Sequence, residues 1–249
     1  MIARLREEAA TIAVAIQFLT RLAVPARAWT PGREAAAVRW YPLVGALVGV
    51  IAAAALLGAA RVWPAVVAVL LSTAATLLLT GAFHEDGLAD TFDGLGASSR
   101  ERALEVMRDS RVGTYGLLAL TVTLALKVAS LAALSLPLAA AALVAGHGLS
   151  RLSAVLVIAT AAYARDEGTG KFTAPGVSRG GLVVAALTGA ALLPLLGSTA
   201  LAALAGLAAG HVFARLVFER RLGGYTGDCL GATQQASELG LYLGVLAVA

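Results

Sequence analysis

The chain has 249 residues, 59% of them hydrophobic and only 14% charged, with a formal net charge of +4. With a mean hydropathy of +0.83, that composition excludes an ordinary soluble globule and predicts an all-α, polytopic helical bundle embedded in a membrane. One cysteine, Cys229, permits no internal disulfide.

In chain order, the run from Ile12 to Val24 is too short to span a bilayer comfortably. Glu7, Glu8 and Arg21 interrupt what would otherwise resemble a cleaved leader, so an interfacial or re-entrant helix is expected here. Apolar windows follow at Tyr41 to Ala60, Pro64 to Phe83, Tyr115 to Leu136, Leu138 to Ala164, Gly180 to Leu196, Thr199 to Phe218 and Ala232 to Ala249. They predict about seven transmembrane helices in one membrane-embedded domain, 1–249. Gly45 with Gly49, and Gly206 with Gly210, have the spacing that lets helices pack closely.

Charge separates the two faces. All 15 acidic residues and 15 of the 19 basic ones lie in the N-terminal segment, the three long loops or their edges, against Arg61 alone on the other side. By the positive-inside rule the long loops are cytoplasmic. Lys127, Arg151 and Arg215 fall inside spans and account, with Arg61, for the net charge. No basic patch interleaved with aromatics is present, which excludes single-stranded nucleic acid as a partner. Lys127 and Arg151 sit deep enough to predict an interior polar cavity. His147 with Arg151, and His211 with Arg215, repeat an AGHxxxRL pattern.

The segment Phe83 to Gly116 holds seven of the 15 acidic residues. Asp86, Asp90 and Asp93 are spaced i, i+4, i+7 and share one helix face, where their mutual repulsion is relieved by a hard divalent cation. Acidic loop residues are usually solvated surface. Here they follow directly on an apolar span and are punctuated by glycines, which points instead to a metal-dependent phosphate site. Arg108 and Arg111 flank Asp109 after a short helix that Ser98 or Ser99 could cap, and suit phosphate capture. The last loop places Asp228 among Gly223, Gly224, Gly227 and Gly231, a pattern expected of a backbone cradle for a ligand. The middle loop, Tyr163 to Arg179, suits a mobile lid.

Five segments, FLTRL at Phe18, YPLVG at Tyr41, HEDGLADTFDG at His84, MRDSRVGTYG at Met107 and RLGGYTGDCLGA at Arg221, resemble the cobalamin synthase family of adenosylcobinamide-GDP ribazoletransferases. They stand in family order and cover the chain nearly end to end; Ala23 departs from the proline common in the family. The resemblance implies a bacterial inner-membrane enzyme that requires Mg2+. It joins alpha-ribazole, or its 5'-phosphate, to adenosylcobinamide-GDP with release of GMP.

On this reading Asp86, Asp90 and Asp93 hold Mg2+, and Asp228 adds a second metal contact or the base. Glu85 or His84 positions or deprotonates the attacking hydroxyl, His84 having the alternative of a capping or supporting part. Arg108, Arg111, Arg221 and Arg151 are candidate phosphate ligands, with Asp109, Gly223, Gly224, Thr226 and Gly227 around the substrate. Self-association or contact with other corrinoid-pathway enzymes is compatible with it. Two alternatives remain open at this point. A CDP-alcohol phosphotransferase is disfavoured by Ala89-Asp90 where its signature has Ala-Arg. A metal or cation transporter is disfavoured by carboxylates gathered at one face.

Overall fold

The computed structural model describes residues 2–25, 28–30, 32–168 and 170–249. Among these the chain is helical, with no strand and one isolated bridge between Tyr163 and Tyr225. The helices are α1 (Ile2–Leu19), α2 (Arg33–Ala37), α3 (Tyr41–Ala59), α4 (Ala65–Thr80), α5 (Phe83–Leu95), α6 (Arg100–Val106), α7 (Thr114–Ala133), α8 (Leu136–Thr160), α9 (Arg179–Ala190), α10 (Ala200–Leu222) and α11 (Gly227–Leu246).

Each apolar window thus contains a helix, but their lengths differ. Among the described residues four runs are long and apolar enough to cross a membrane, and α4 with α5 makes a fifth if the bent pair counts as one span. Helix α9 has 12 residues, about 18 Å of rise against a hydrocarbon core of about 30 Å. Helix α11 has 20 residues, but Asp228, Gln234, Gln235 and Glu238 lower its hydropathy. Helix α1 is tied to the segment before α3: Arg33 meets Glu7 at 2.8 Å, Arg39 meets Glu8 at 2.9 Å, and the Trp40 indole donates to Glu8 at 3.0 Å. Its opposite face buries Val14, Ala15 and Leu19, the division expected of an amphipathic helix.

Small residues decide which helices touch. A Cβ on Gly49 would stand 2.6 Å from the Leu143 carbonyl oxygen of α8, and one on Gly45 would overlap the His147 carbonyl. Gly206 and Gly210 meet the backbone of Gly240 and Ala236 on α11 in the same way. Both glycine pairs are contact surfaces, α3 on α8 and α10 on α11.

Between α4 and α5 the chain turns by 88°. Gly81 (φ 68°) and Ala82 (φ 55°) both adopt left-handed backbone, and Ala82 is the one non-glycine residue to do so among those described. A Cβ in that region costs about 1–2 kcal/mol, so the corner depends on what packs beyond it. Gly87 of α5 and Gly231 of α11 provide that packing: a Cβ on Gly87 would lie 2.7 Å from the Asp228 carbonyl oxygen, and one on Gly231 would lie 2.9 Å from the His84 carbonyl oxygen. Helix α5 therefore runs across the end of the bundle and carries its carboxylates along that end.

Candidate active site

Asp86 and Asp90 are one turn apart on α5, and Asp228 stands in the first turn of α11. Thr226 begins that turn, its hydroxyl accepting from the Cys229 amide at 3.4 Å and donating to Asp228 Oδ2 at 3.3 Å. The close crossing at Gly87 and Gly231 brings the three carboxyls within electrostatic reach. Burial, and then the charges of Asp86 and Asp228, push Asp90 up to about 7. Arg165 answers this charge, its Nη2 lying 3.0 Å from Asp228 Oδ2.

Among the described residues no three His, Cys, Asp or Glu side chains form a ready-made cage for a metal ion. The donor set still fits one class of cation. Three hard carboxylates face a single guanidinium, and Mg2+ takes one or two carboxylates while water and substrate phosphate complete its shell.

Asp93 has a different occupation. It lies about 10 Å along the helix axis from Asp86, and its oxygens accept from the Gly113 amide at 2.7 Å and the Gly116 amide at 2.8 Å. It thereby satisfies the N-terminus of α7 from another helix. Glu85 turns inward, one oxygen accepting from Gln235 at 2.8 Å and the other buried without a partner. His84 is buried and lines a closed cavity of about 60 Å³ with Asp86, Gly227 and Asp228, and with Arg151 beneath them.

The remaining candidates divide. Arg111 and Asp109 pair at 2.6 Å on an exposed turn, and that pairing holds the Asp109 carboxyl down to about 2. Both border an open groove of about 820 Å³ that also reaches Asp93, Ser98 and Arg102; Arg108 is exposed. Arg221 borders a separate groove with Arg220 and Leu95. Gly223 (φ 69°) ends α10, and Gly224 abuts the Ala162 carbonyl. There the Tyr225 amide donates to Ala162 O and the Ala164 amide to Tyr225 O, each at 2.8 Å. The glycine loop therefore docks on backbone, and of Gly223, Gly224, Thr226 and Gly227 only Gly227 lines the cavity.

Two features were not read from the sequence. Arg165, the counter-charge of Asp228, follows α8 in a loop where only its position just past a span sets it apart. The second is a buried polar cluster joining α5, α7, α8 and α11. Lys127 Nζ donates to Gln235 at 2.7 Å and to Glu238 at 2.8 Å, and Tyr242 donates to Glu238 at 3.0 Å. His147 Nδ1 lies 3.1 Å from Glu238, while Gln234 donates to Ser150 at 2.9 Å and also to Glu238. The position of Lys127 predicted a polar interior but not this cluster, whose other members were hidden in the polar spacing of α11. The two AGHxxxRL copies part company here, because His211 meets Ser153 at 2.7 Å and Arg215 meets Glu219 at 2.6 Å.

Comparison with known proteins gives a family. The family model described as cobalamin-5-phosphate synthase matches residues 11–246. The chain is 49% identical to an adenosylcobinamide-GDP ribazoletransferase of Leptothrix cholodnii, covering 98% of each chain. It is 47% identical to that of Ralstonia nicotianae, over 96% of this chain and 95% of the relative. For the Shewanella amazonensis protein of the same name the identity is 44%, over 94% and 93%. No solved structure matches.

Proposed function

The chain belongs to the cobalamin-5-phosphate synthase family, and from that premise we propose that it is a membrane transferase of cobalamin nucleotide-loop assembly, acting on adenosylcobinamide-GDP and alpha-ribazole or its 5'-phosphate. The membership removes the CDP-alcohol phosphotransferase and carrier readings. The observation that carries the mechanism is the meeting of Asp86 and Asp90 with Asp228, far apart in sequence, beside a cavity and under one arginine.

A ribose hydroxyl of the acceptor attacks the corrinoid-side phosphorus of adenosylcobinamide-GDP. The new O–P bond forms, the bridging P–O bond of the pyrophosphate breaks, and GMP leaves with the electron pair. Asp86, Asp90 and Asp228 would hold Mg2+, which when bound supplies charge neutralisation for the pyrophosphate and the departing GMP. The hydroxyl proton passes to a carboxylate oxygen of this cluster that the ion leaves free. Arg165 orients Asp228 and offsets part of the negative charge. Arg111, Arg108 and Arg102 border or adjoin the wide groove, which has room for the larger substrate and guanidinium groups for its phosphates. Asp93 holds α5 to the start of α7 and so fixes the groove's inner wall.

The charged loops face the cytoplasm, with α3, α4, α7, α8, α10 and α11 crossing and α9 completing a seventh passage with the 3-10 turn Leu193–Thr199. The test is GMP release from adenosylcobinamide-GDP and alpha-ribazole by detergent-purified protein with and without Mg2+. Asp86→Asn and Asp228→Asn each lower turnover by about 100-fold or more; near-normal turnover by either removes the carboxylate assignment.

A further inference from the structure

We propose that the closed cavity beside Asp86 and Asp228 seats the aromatic base of the acceptor nucleoside, a flat and largely apolar heterocycle with a ring-nitrogen acceptor. The proposal rests on the transferase reading above and assigns one of its two substrates to a place.

The walls are aromatic and come from separate parts of the chain. Phe18 of α1 stacks on Tyr41 of α3 at 5.9 Å and 8°, and meets Phe83 of α5 edge-on at 5.4 Å and Phe172 edge-on at 5.1 Å. Phe18, Tyr41 and Phe83 line the cavity itself. Such rings favour offset or edge contact with a planar ligand. Against these rings the lining sets a few polar groups, His84 and Thr173 among them. At the mouth stand Asp86, which is exposed, and Asp228. At the closed end the Tyr41 hydroxyl and Arg151 Nε are both buried and have no hydrogen-bond partner. Buried polar groups are nearly always paired, so two unpaired ones on residues that line one cavity mark the place of a ligand acceptor.

The chemistry of the closed end selects the base. The guanidinium only donates, and the Tyr41 hydroxyl donates readily. The benzimidazole of ribazole offers one free ring nitrogen as acceptor and otherwise apolar edges. Guanine could offer N7 or O6 to the same two donors, but its N1–H and 2-amino group would then be buried against aromatic rings without enough acceptors, a cost that benzimidazole does not carry. A base lying against Phe18 leaves its ribose at the mouth, where the attacking hydroxyl must reach Asp86, Asp90 and Asp228. At about 60 Å³ the cavity holds about two waters, so seating the base requires the lining to give way. Gly170 and Thr173 belong to that lining, and Thr173 is fastened to the Tyr225 hydroxyl at 2.9 Å. The corrinoid, far larger, is confined to the open groove.

Steady-state kinetics with purified protein separate the two substrates. Ala154 lines the cavity, and Ala154→Leu fills it. The KM for alpha-ribazole is expected to rise about tenfold or more, with the KM for adenosylcobinamide-GDP unchanged. Tyr41→Phe removes only the hydroxyl and raises the KM for ribazole about tenfold, an effect that disappears with an indole riboside lacking the free ring nitrogen. An unchanged ribazole KM in Tyr41→Phe, an equal effect with the indole analogue, or a rise in the KM for adenosylcobinamide-GDP instead overturns the proposal. Should Ala154→Leu fail to fold, Tyr41→Phe carries the test alone. Wild-type protein that releases no GMP from these substrates refutes the transferase reading, a result distinct from all of these.

Discussion

Asp228 and Glu238 stand about 15 Å apart along α11, and their surroundings are opposite. Glu238 is enclosed by Lys127, His147, Tyr242 and Gln234, so both of its oxygens are engaged. Asp228 has Arg165 and Thr226, and shares its space with two further carboxyls. On α5 the contrast is partial: Glu85 turns in to Gln235 with one oxygen while its other is buried without a partner, and Asp86 faces out. An acidic group with its partners supplied by the protein fastens helices together; one whose partners are missing is left for a ligand. Identity of side chain does not distinguish the two regions, but saturation does.

The contrast is broken most severely at the enclosed end. Removing one partner of a buried ion pair costs about 3–5 kcal/mol, whereas replacing both by apolar residues is often near neutral. Glu238→Leu or Lys127→Met alone therefore lowers the yield and thermal stability of detergent-folded protein sharply; the double variant regains only the Lys127 part of the loss, because His147, Tyr242 and Gln234 stay without Glu238. At the open end the pattern reverses: Asp228→Asn keeps the unfolding temperature and loses turnover. A smaller effect is expected at Arg165→Met, which removes a countercharge without removing a carboxylate; GMP release falls about tenfold with the fold intact.

Ala82→Gly sharpens the link between corner and site. Glycine adopts the left-handed backbone without penalty, so calorimetry should show a stability gain of about 1 kcal/mol or less, after the extra freedom of the unfolded chain is subtracted. The last expectation is a slope. Asp90 has a folded pKa of about 7 against an ordinary 3.8, so the folded protein binds this proton more tightly. Its contribution is complete below the unfolded value and is lost as pH rises through the folded one. In divalent-free detergent the unfolding temperature therefore falls between about pH 4 and about pH 7, more steeply than in Asp90→Asn. Equal slopes in the two proteins mean that Asp90 is not crowded by like charge.

Much of this was legible in the residues. The windows around Tyr41, Pro64, Tyr115, Leu138, Gly180, Thr199 and Ala232 each hold a helix, Ser99 caps α6 by accepting from the Arg102 amide at 3.2 Å, and the paired glycines mark the closest helix contacts. Lys127 and Arg151, placed in a polar interior by depth alone, are buried there. The assignment of Asp93 to the same ion as Asp86 went too far on periodicity: a shared face says nothing of a separation along the axis, and Gly113 and Gly116 stand opposite the far turn. Gly223 and Gly224 looked like a ligand cradle because glycine density signals close approach; Gly224 approaches the backbone at Ala162, while Gly223 supplies the left-handed end of α10.

Hydropathy and helical period are local properties of the chain, and they alone determined the membrane class, the helix positions, the face that bears charge and the segment that bears acid. The partner of each carboxylate depends on the rotation of α5 after an 88° turn and on its glycine contact with α11. No local pattern encodes that rotation, because it is set by packing between segments more than a hundred residues apart. Only the tertiary structure therefore decided that Asp86, Asp90 and Asp228 come within electrostatic reach of one another, while Glu85 turns in to Gln235 and Glu238 is sealed inside.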